Sequence, residues 1–140
     1  LRPSKILTVA TTGLVLAIPL GRILQVPVVY ARKQRSVVMA DSHIVQYSSK
    51  SHGSHRELMV AKRHLDPEDR VLLVDDFLSS GAAQEAMMRL CGMAGSTPIG
   101  VTALLEKVFD SGRIKLSGYD VPVETLVRIL DLENDQINIE

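Results

Sequence analysis

Two adjacent carboxylates, followed at once by a run of small residues, are the most informative chemical feature of this sequence. Asp75 and Asp76 come directly after the apolar run Val71–Val74, and the small residues Ser79–Ala83 lead into a segment with helical periodicity. Backbone N–H groups that open a helix bind phosphate, assisted by the positive end of the helix dipole. Carboxylates beside such a loop suit sugar hydroxyls and a magnesium ion. The succession therefore predicts a site for a sugar phosphate.

A simpler interpretation takes these residues separately, with the two aspartates as a solvated strand end and Ser79 as a helix cap. Each feature is common alone. The immediate succession of apolar strand, acid pair and small-residue loop is much more specific. A Walker-type phosphate loop is excluded, because no Gly-Lys-Ser/Thr follows.

The acid pair needs a buried strand to position it, and the surrounding periodicity predicts one inside a sheet. Val71–Val74 is fully apolar, as a buried parallel strand requires. Gly81–Ala94 has helical length and period, and Gly95 is placed to end that helix. Upstream, a strand, a helix and a second strand are predicted at Ile6–Ala10, Leu14–Leu24 and Val26–Tyr30. Such a βαβ unit favours parallel strands.

The remaining segments extend the pattern. Residues 32–64 are polar, with short alternating pieces at Ser36–Met39 and His43–Tyr47, and we expect a mobile loop or hairpin there. A strand, a short helix or loop, and a last core strand are predicted at Ile99–Leu105, Ser111–Tyr119 and Thr125–Leu130. The fold class is therefore α/β, a single domain over residues 1–140 with an open, mostly parallel sheet flanked by helices.

Composition removes several classes of function. The 140 residues carry 16 basic and 16 acidic side chains, and this neutral balance predicts no nucleic-acid partner. A single cysteine, Cys91, excludes an internal disulfide and fits a reducing, cytoplasmic compartment. The apolar stretch Ile6–Tyr30 is interrupted by two glycines, two prolines and Arg22, so no membrane helix is expected.

The segment Val71–Ala83 resembles the signature of the type I phosphoribosyltransferases, in which two acids precede a phosphate-binding loop. Within that family it is most similar to the bacterial xanthine phosphoribosyltransferases. The similarity extends to Val26–Lys33, to Leu105–Lys107 with Phe109 and Gly112-Arg113, and to Val127–Ile129. It covers nearly the whole chain.

This resemblance implies a purine-salvage enzyme that transfers ribose 5-phosphate from phosphoribosyl pyrophosphate (PRPP) to a 6-oxopurine, with xanthine favoured, and releases pyrophosphate. The transition state resembles an oxocarbenium ion with a departing polyanion, so the site must stabilise negative charge and exclude water. Mg²⁺ is the implied cofactor, held with PRPP and only indirectly by Asp75 and Asp76. PRPP and the purine base are the implied partners, and relatives form homodimers, with which apolar exposure along Leu14–Leu24 would agree.

The resemblance also assigns residues. The implied catalytic residues are Asp75, Asp76, Tyr47 and Ser48, the last two at the start of a flexible loop, Tyr47–His55. The implied PRPP-binding residues are Ser79, Ser80, Gly81, Ala82, Ala83, Thr11, Thr12, Gly13, Arg32 and Lys33. The implied purine-binding residues are Lys107 and Phe109. A lysine ammonium has only donors, which suits an oxo-purine better than adenine.

The sequence departs from the family pattern in several places. Ala10 and Leu16 stand where the xanthine enzymes have Glu and Pro, and Ser80 and Ala82 replace Asn and Gln in the loop. These loop changes keep the backbone N–H groups but are expected to weaken phosphate affinity. Family members also carry about 40 or more residues before the first strand, a hood that helps to hold the purine. The resemblance implies that this N-terminal hood is missing here.

Two other functions remain open from the residues. The main alternative is a PRPP-sensing regulatory domain of the purine-repressor type, without catalysis. Lys107 argues against it, because those repressors resemble this chain but carry an acid there. The second is a receiver domain, which shares a strand ending in two aspartates but needs no serine loop.

Overall fold

The computed structural model describes residues 1–140 except 36–39, 49–54 and 134–135. The described residues form a six-stranded sheet, a separate two-stranded hairpin and three α-helices. The strands are β1 (Lys5–Val9), β2 (Val28–Ala31), β3 (Ser42–Ser48), β4 (His55–Ala61), β5 (Arg70–Leu78), β6 (Thr97–Lys107), β7 (Val123–Glu133) and β8 (Gln136–Ile139). The helices are α1 (Leu14–Leu24), α2 (Ala82–Ala94) and α3 (Gly112–Leu116).

The large sheet has the strand order β2-β1-β5-β6-β7-β8. All its neighbouring strands pair in parallel except β8, which is antiparallel to β7. The predicted βαβ unit is present, because α1 connects β1 to β2 and ends at Gln25, which has a left-handed φ of 54°. The predicted open, mostly parallel α/β sheet is therefore confirmed.

Helix α2 covers one face of the sheet and supplies much of the core. Met87, Leu90 and Cys91 on this helix are completely buried. Gly95 ends it with a φ of 74°, as predicted, a conformation in which a side chain would be strained. Burial raises the pKa of the Cys91 thiol to about 11, as expected for a cysteine that packs in the core.

For the polar segment after β2 the sequence predicted either a mobile loop or a hairpin, and the structure contains a hairpin there. β3 pairs with β4 in antiparallel register, and the predicted alternating piece His43–Tyr47 lies in β3. The other alternating piece, residues 36–39, lies outside the described residues. The hairpin is joined to the rest of the fold by a bridge between Arg32 and Met59. On the other side, Arg89 of α2 donates a hydrogen bond to the carbonyl oxygen of Gln46.

Strands at the carboxyl edge of the sheet are longer than predicted. β5 continues to Leu78 and β6 to Lys107, so Asp75 and Asp76 lie inside a strand instead of beyond its end. Pairing between β1 and β5 nevertheless stops at Thr8 and Val74, and from Asp75 onward β5 pairs only with β6. The acid pair thus lies beside the carboxyl end of β1, where β5 no longer has a paired strand on that side.

The prediction of a last core strand at Thr125–Leu130 was wrong in two respects. β7 spans Val123–Glu133 and Ile129 is its one buried residue, so it is a strand near the sheet edge and not a core strand. It is followed by β8, which is exposed throughout its four residues. Neither a buried apolar run nor a strong turn signal marks β8 in the sequence.

Helix α1 turns one apolar side outward. Ala17 and Gly21 are buried against the sheet, whereas Val15 is 70% exposed and Ile23 is 75% exposed. Within the described residues, no helix has both the length and the apolar character needed to cross a membrane.

Candidate active site

Asp75 is a carboxyl group buried at the open side of β5, only 5% exposed. Its Oδ2 accepts a hydrogen bond from Gln84 Nε2 at 2.9 Å, and its Oδ1 accepts one from the backbone N–H of Asp76 at 3.0 Å. Burial, followed by the hydrogen bond and charge of the Asp76 side chain, raises the pKa of Asp75 to about 8, and the positive charge of Lys33 opposes this shift. Asp75 can therefore carry a proton near neutral pH, while Asp76 is only half-buried.

The small residues Ser79–Ala83, called the phosphate loop below, connect β5 to the first turn of α2. Gly81 has a φ of 74°, which a residue with a side chain adopts only with strain. No side chain among the described residues caps the start of α2, so the first N–H groups of this helix are not taken by a capping group. An anion held in the loop would accept hydrogen bonds from these donors.

A cleft of about 470 Å³, called the main cleft, opens above this loop. It brings together eight of the residues that the sequence predicted for the site. These are Lys33, Tyr47, Ser79, Ser80, Gly81, Ala82, Ala83 and Lys107. These residues come from two strands, β3 and β6, from the segment after β2, and from the phosphate loop with the first turn of α2, a grouping that the linear order of the chain does not reveal.

Four further residues line the main cleft and were not predicted from the sequence, namely Arg56, Phe77, Gln84 and Asp110. Arg56 faces Tyr47 because the two are register partners in the hairpin. Gln84 bridges Asp75 and the carbonyl oxygen of Phe77, at 2.9 and 3.0 Å. Asp110 accepts a hydrogen bond from the Ser79 hydroxyl. Of these four residues, only Phe77 had a signal in the sequence, because it directly follows the acid pair.

A second cleft of about 390 Å³ is lined by Ala10, Thr11 and residues 32–35. Lys33 lines both clefts, so they meet at this side chain. Gly13 lies directly against the acid pair, since a Cβ atom there would be 3.0 Å from Asp75 Oδ1 and 2.3 Å from Thr8 Oγ1. The Ala10–Thr11 peptide bond is cis. Gly13 in the turn after β1 thus lies against Asp75, and Lys33 after β2 stands where the two clefts join.

Some predicted residues lie outside the lining of both clefts. Ser48 is exposed at the end of β3, Thr12 is exposed in the turn after β1, and Phe109 is 48% exposed beyond the end of β6. The aromatic ring near Lys107 is that of Phe77, whose centroid is 5.2 Å from the lysine Nζ. Asp75 and Asp76 lie behind the cleft wall and touch it through Gln84 and Phe77.

Positive side chains outnumber negative ones along both clefts. Lys33, Arg56 and Lys107 line the main cleft, against Asp110 alone among the acids, and Arg32, Lys33 and Arg35 line the second. Burial raises the pKa of Tyr47, while the neighbouring guanidinium of Arg56 opposes that shift. The arrangement suits a ligand with several negative charges spread over both clefts.

Comparison with known proteins identifies the family of this chain. The sequence matches the phosphoribosyl transferase domain family over residues 2–132. It is 36% identical over 134 residues to a xanthine phosphoribosyltransferase of Deinococcus deserti, covering 95% of this chain and 69% of the relative. It is 38% identical over 135 residues to the xanthine phosphoribosyltransferase of Moorella thermoacetica, covering 96% of this chain and 69% of the relative.

Solved structures show the same fold. The APRTase of Giardia lamblia complexed with 9-deazaadenine aligns with a TM-score of 0.84 at 27% identity, covering 91% of this chain and 71% of that one. The adenine phosphoribosyltransferase of Rhodothermus marinus aligns with a TM-score of 0.83 at 26% identity, covering 91% and 70%. The chain belongs to the phosphoribosyltransferase family.

Proposed function

We propose that this chain is a purine phosphoribosyltransferase domain that transfers ribose 5-phosphate from PRPP to a 6-oxopurine, with xanthine favoured, and releases pyrophosphate. One observation carries the proposal: the phosphate loop and Lys107 of β6 line the main cleft, and Asp75 of the acid pair is hydrogen-bonded to Gln84 in the wall of that cleft. The relatives named xanthine phosphoribosyltransferase, at 36% and 38% identity, support the choice of reaction.

Each part of PRPP has a matching part of the site. The 5-phosphate accepts hydrogen bonds from the N–H groups and serine hydroxyls of Ser79–Ala83, and the ribose hydroxyls face Asp75 and Asp76. Pyrophosphate lies toward Thr11–Gly13, with Arg32 and Lys33 to neutralise it. The positive side chains then stabilise the charge that develops on the leaving group as the C1–oxygen bond breaks.

The hairpin lies beside this site and forms part of the main cleft. Tyr47 and Arg56 of the hairpin line the main cleft together with the phosphate loop. We propose that Tyr47 and Ser48, at the end of β3, close over the bound substrate and exclude water from the oxocarbenium-like transition state.

Lys107 supports an oxo-purine as the acceptor base. Its ammonium group has only donors, which match a purine carbonyl oxygen but not the amino group of adenine. The structural relatives are adenine enzymes, whereas the sequence relatives are named for xanthine. Lys107 favours an oxo-purine such as xanthine over adenine. Phe77, 5.2 Å from Lys107 Nζ, offers a ring face beside the base, the role that the sequence assigned to Phe109.

Magnesium fits the donor set only together with the substrate. Among the described residues, no group of three or more His, Cys, Asp or Glu side chains is placed to hold a metal ion. Magnesium prefers oxygen ligands and keeps waters and substrate phosphates in its shell. Asp75 and Asp76 would hold such an ion indirectly, through its waters and the ribose and pyrophosphate oxygens, and it would add positive charge to the leaving group.

The proposal includes a homodimer in the cytoplasm. The outward side of α1 is apolar at Val15, Ile18 and Ile23, which are 70%, 58% and 75% exposed. An apolar surface of this kind on a short helix suits contact with a second copy. Analytical ultracentrifugation gives the mass of the assembly, and a monomer at micromolar concentration would contradict the dimer.

Incubation of the chain with Mg²⁺, PRPP and each of xanthine, guanine, hypoxanthine and adenine tests the reaction. Pyrophosphate release is expected with oxo-purines and not with adenine. The variant Lys107→Met should lower kcat/KM for the oxo-purine by about 10- to 100-fold, the loss of one hydrogen bond to a charged group. The control Lys62→Met changes an exposed lysine that pairs with Asp41 and lines neither cleft. Binding of PRPP without turnover of any base would instead favour a sensor.

A further inference from the structure

A short segment after β6 packs directly against the phosphate loop. A Cβ atom on Gly112 would lie 2.2 Å from the carbonyl oxygen of Ser79 and 2.9 Å from the backbone nitrogen of Gly81. Conversely, a Cβ atom on Gly81 would lie 2.9 Å from the carbonyl oxygen of Gly112. The two glycines therefore allow the backbones of the loop and of the segment to touch, and Asp110 adds a hydrogen bond from the Ser79 hydroxyl.

The same segment is anchored on its other side by an ion pair between the buried Glu106 and Arg113, whose side chain is 42% exposed. Arg113 donates from Nε to Glu106 Oε1 at 2.9 Å and from a terminal nitrogen to Oε2 at 2.6 Å, a two-point contact that only a guanidinium makes. Thr125 donates to Oε2 at 2.8 Å, and Arg113 also donates to the carbonyl oxygen of Val123 at 2.5 Å. Glu106 is only 2% exposed, and the hydrogen bond from Arg113 holds the pKa of Glu106 below its ordinary range.

Glu106 is also the residue before Lys107, at the end of β6. One ion pair thus connects the strand end that carries the base-binding lysine to the segment that supports the phosphate loop. Neither Glu106 nor Arg113 lines either cleft, so neither is placed to contact a ligand.

We infer that Glu106 and Arg113 are positioning residues that act through Gly112: the ion pair fixes residues 108–113, and this segment holds the Ser79–Gly81 backbone where it binds the 5-phosphate. The inference rests on the proposed function, since it assumes that the loop binds a ribose phosphate. The pair is not by itself evidence of a contribution to stability, because the desolvation of Glu106 offsets much of the attraction and water screens the exposed Arg113. The role proposed for the ion pair is to fix the position of residues 108–113.

The test measures two ligands that occupy different parts of the site. Ribose 5-phosphate probes the phosphate loop, and magnesium pyrophosphate probes Thr11–Gly13 with Arg32 and Lys33. Calorimetry on the full chain gives both dissociation constants. In Gly112→Ala, affinity for ribose 5-phosphate should fall by about tenfold or more, the equivalent of one hydrogen bond to a charged group. Affinity for pyrophosphate should change by less than about twofold, within the scatter of surface substitutions.

Gly92→Ala is the matched control, because a Cβ atom there has no neighbouring atom within 4 Å. It should leave both affinities unchanged. Arg113→Lys is the second test, since lysine keeps the charge but loses the two-point contact. It should weaken ribose 5-phosphate binding selectively, whereas Arg63→Lys on the exposed turn after β4 should not.

The outcomes separate the two proposals. If the unmodified chain binds neither ligand, the proposed function fails and the inference fails with it. If it binds both, and Gly112→Ala and Arg113→Lys bind ribose 5-phosphate as well as their controls do, the positioning role alone is wrong. Equal loss of both ligands would show a purely structural role and would also overturn the inference. If Gly112→Ala does not fold, Arg113→Lys decides by the same comparison.

Discussion

Asp75 should make the stability of this protein fall as the pH rises, and Asp75→Asn should abolish that fall. The folded state holds the proton of Asp75 with a pKa of about 8, whereas an unfolded carboxyl has its ordinary pKa of 3.8. Between these values the folded state binds more protons than the unfolded chain. Stability is therefore fully present below the unfolded pKa and is lost as the pH rises toward the folded pKa.

The size of the effect follows from the linkage relation. One proton difference changes the free energy of unfolding by about 1.4 kcal/mol per pH unit. From pH 5.5 to 7.0 the wild-type chain should lose about 2 kcal/mol through this residue alone. Because Asp75 is 5% exposed, solvent screening reduces this only slightly. Asp69 and Glu106 have lowered pKa values, so their opposite contributions are complete below pH 5.5.

Urea unfolding at several pH values between 5.5 and 7.0 measures the slope. Asn at position 75 does not titrate, so any constant cost from its altered contacts with Gln84 leaves the slope unaffected. Asp120→Asn is the control, since Asp120 is exposed and its φ of 50° suits asparagine. The control should keep the wild-type slope. Equal slopes in wild type and Asp75→Asn would refute the raised pKa of Asp75.

Two further predictions concern the loop and the hairpin. Gly81→Ala should lower the free energy of unfolding by at least about 1–2 kcal/mol, because the φ of 74° strains a side chain and the Cβ atom would lie 2.9 Å from the carbonyl oxygen of Gly112. Gly92→Ala should not lower it, and equal urea midpoints for the two variants would contradict this. Arg56→Gln should raise the pKa of Tyr47 further, because the charge of Arg56 and its hydrogen bond favour the phenolate. Tyrosinate absorbance, taken as a difference from the Tyr47→Phe variant, measures the pKa of Tyr47. An unchanged pKa would contradict the Tyr47–Arg56 contact.

The parts of the fold that were predictable are those encoded in short contiguous segments. Val71–Val74, the acid pair, the phosphate loop and α2 follow one another in sequence, so periodicity and a turn of small residues were enough to place them. Helix α1 was predicted to its observed ends because a Thr-Thr-Gly turn precedes it and its apolar residues have helical length, despite Pro19 and Gly21 within it. β7 and β8 were misjudged because exposed strands at a sheet edge lack the buried apolar run on which strand prediction depends.

The chain's own sequence thus determined the succession of acid pair and small-residue loop, the α/β architecture and the family resemblance, since each depends on neighbours along the chain. Only the tertiary structure decided the environment of those residues. It placed Arg56 opposite Tyr47 by strand register and Asp110 against Ser79 across 31 positions of sequence. Burial beside Asp76, which no local pattern encodes, set the proton affinity of Asp75. The contact of Gly112 with the phosphate loop likewise requires two distant backbones to meet, and it turns a motif into a positioned site.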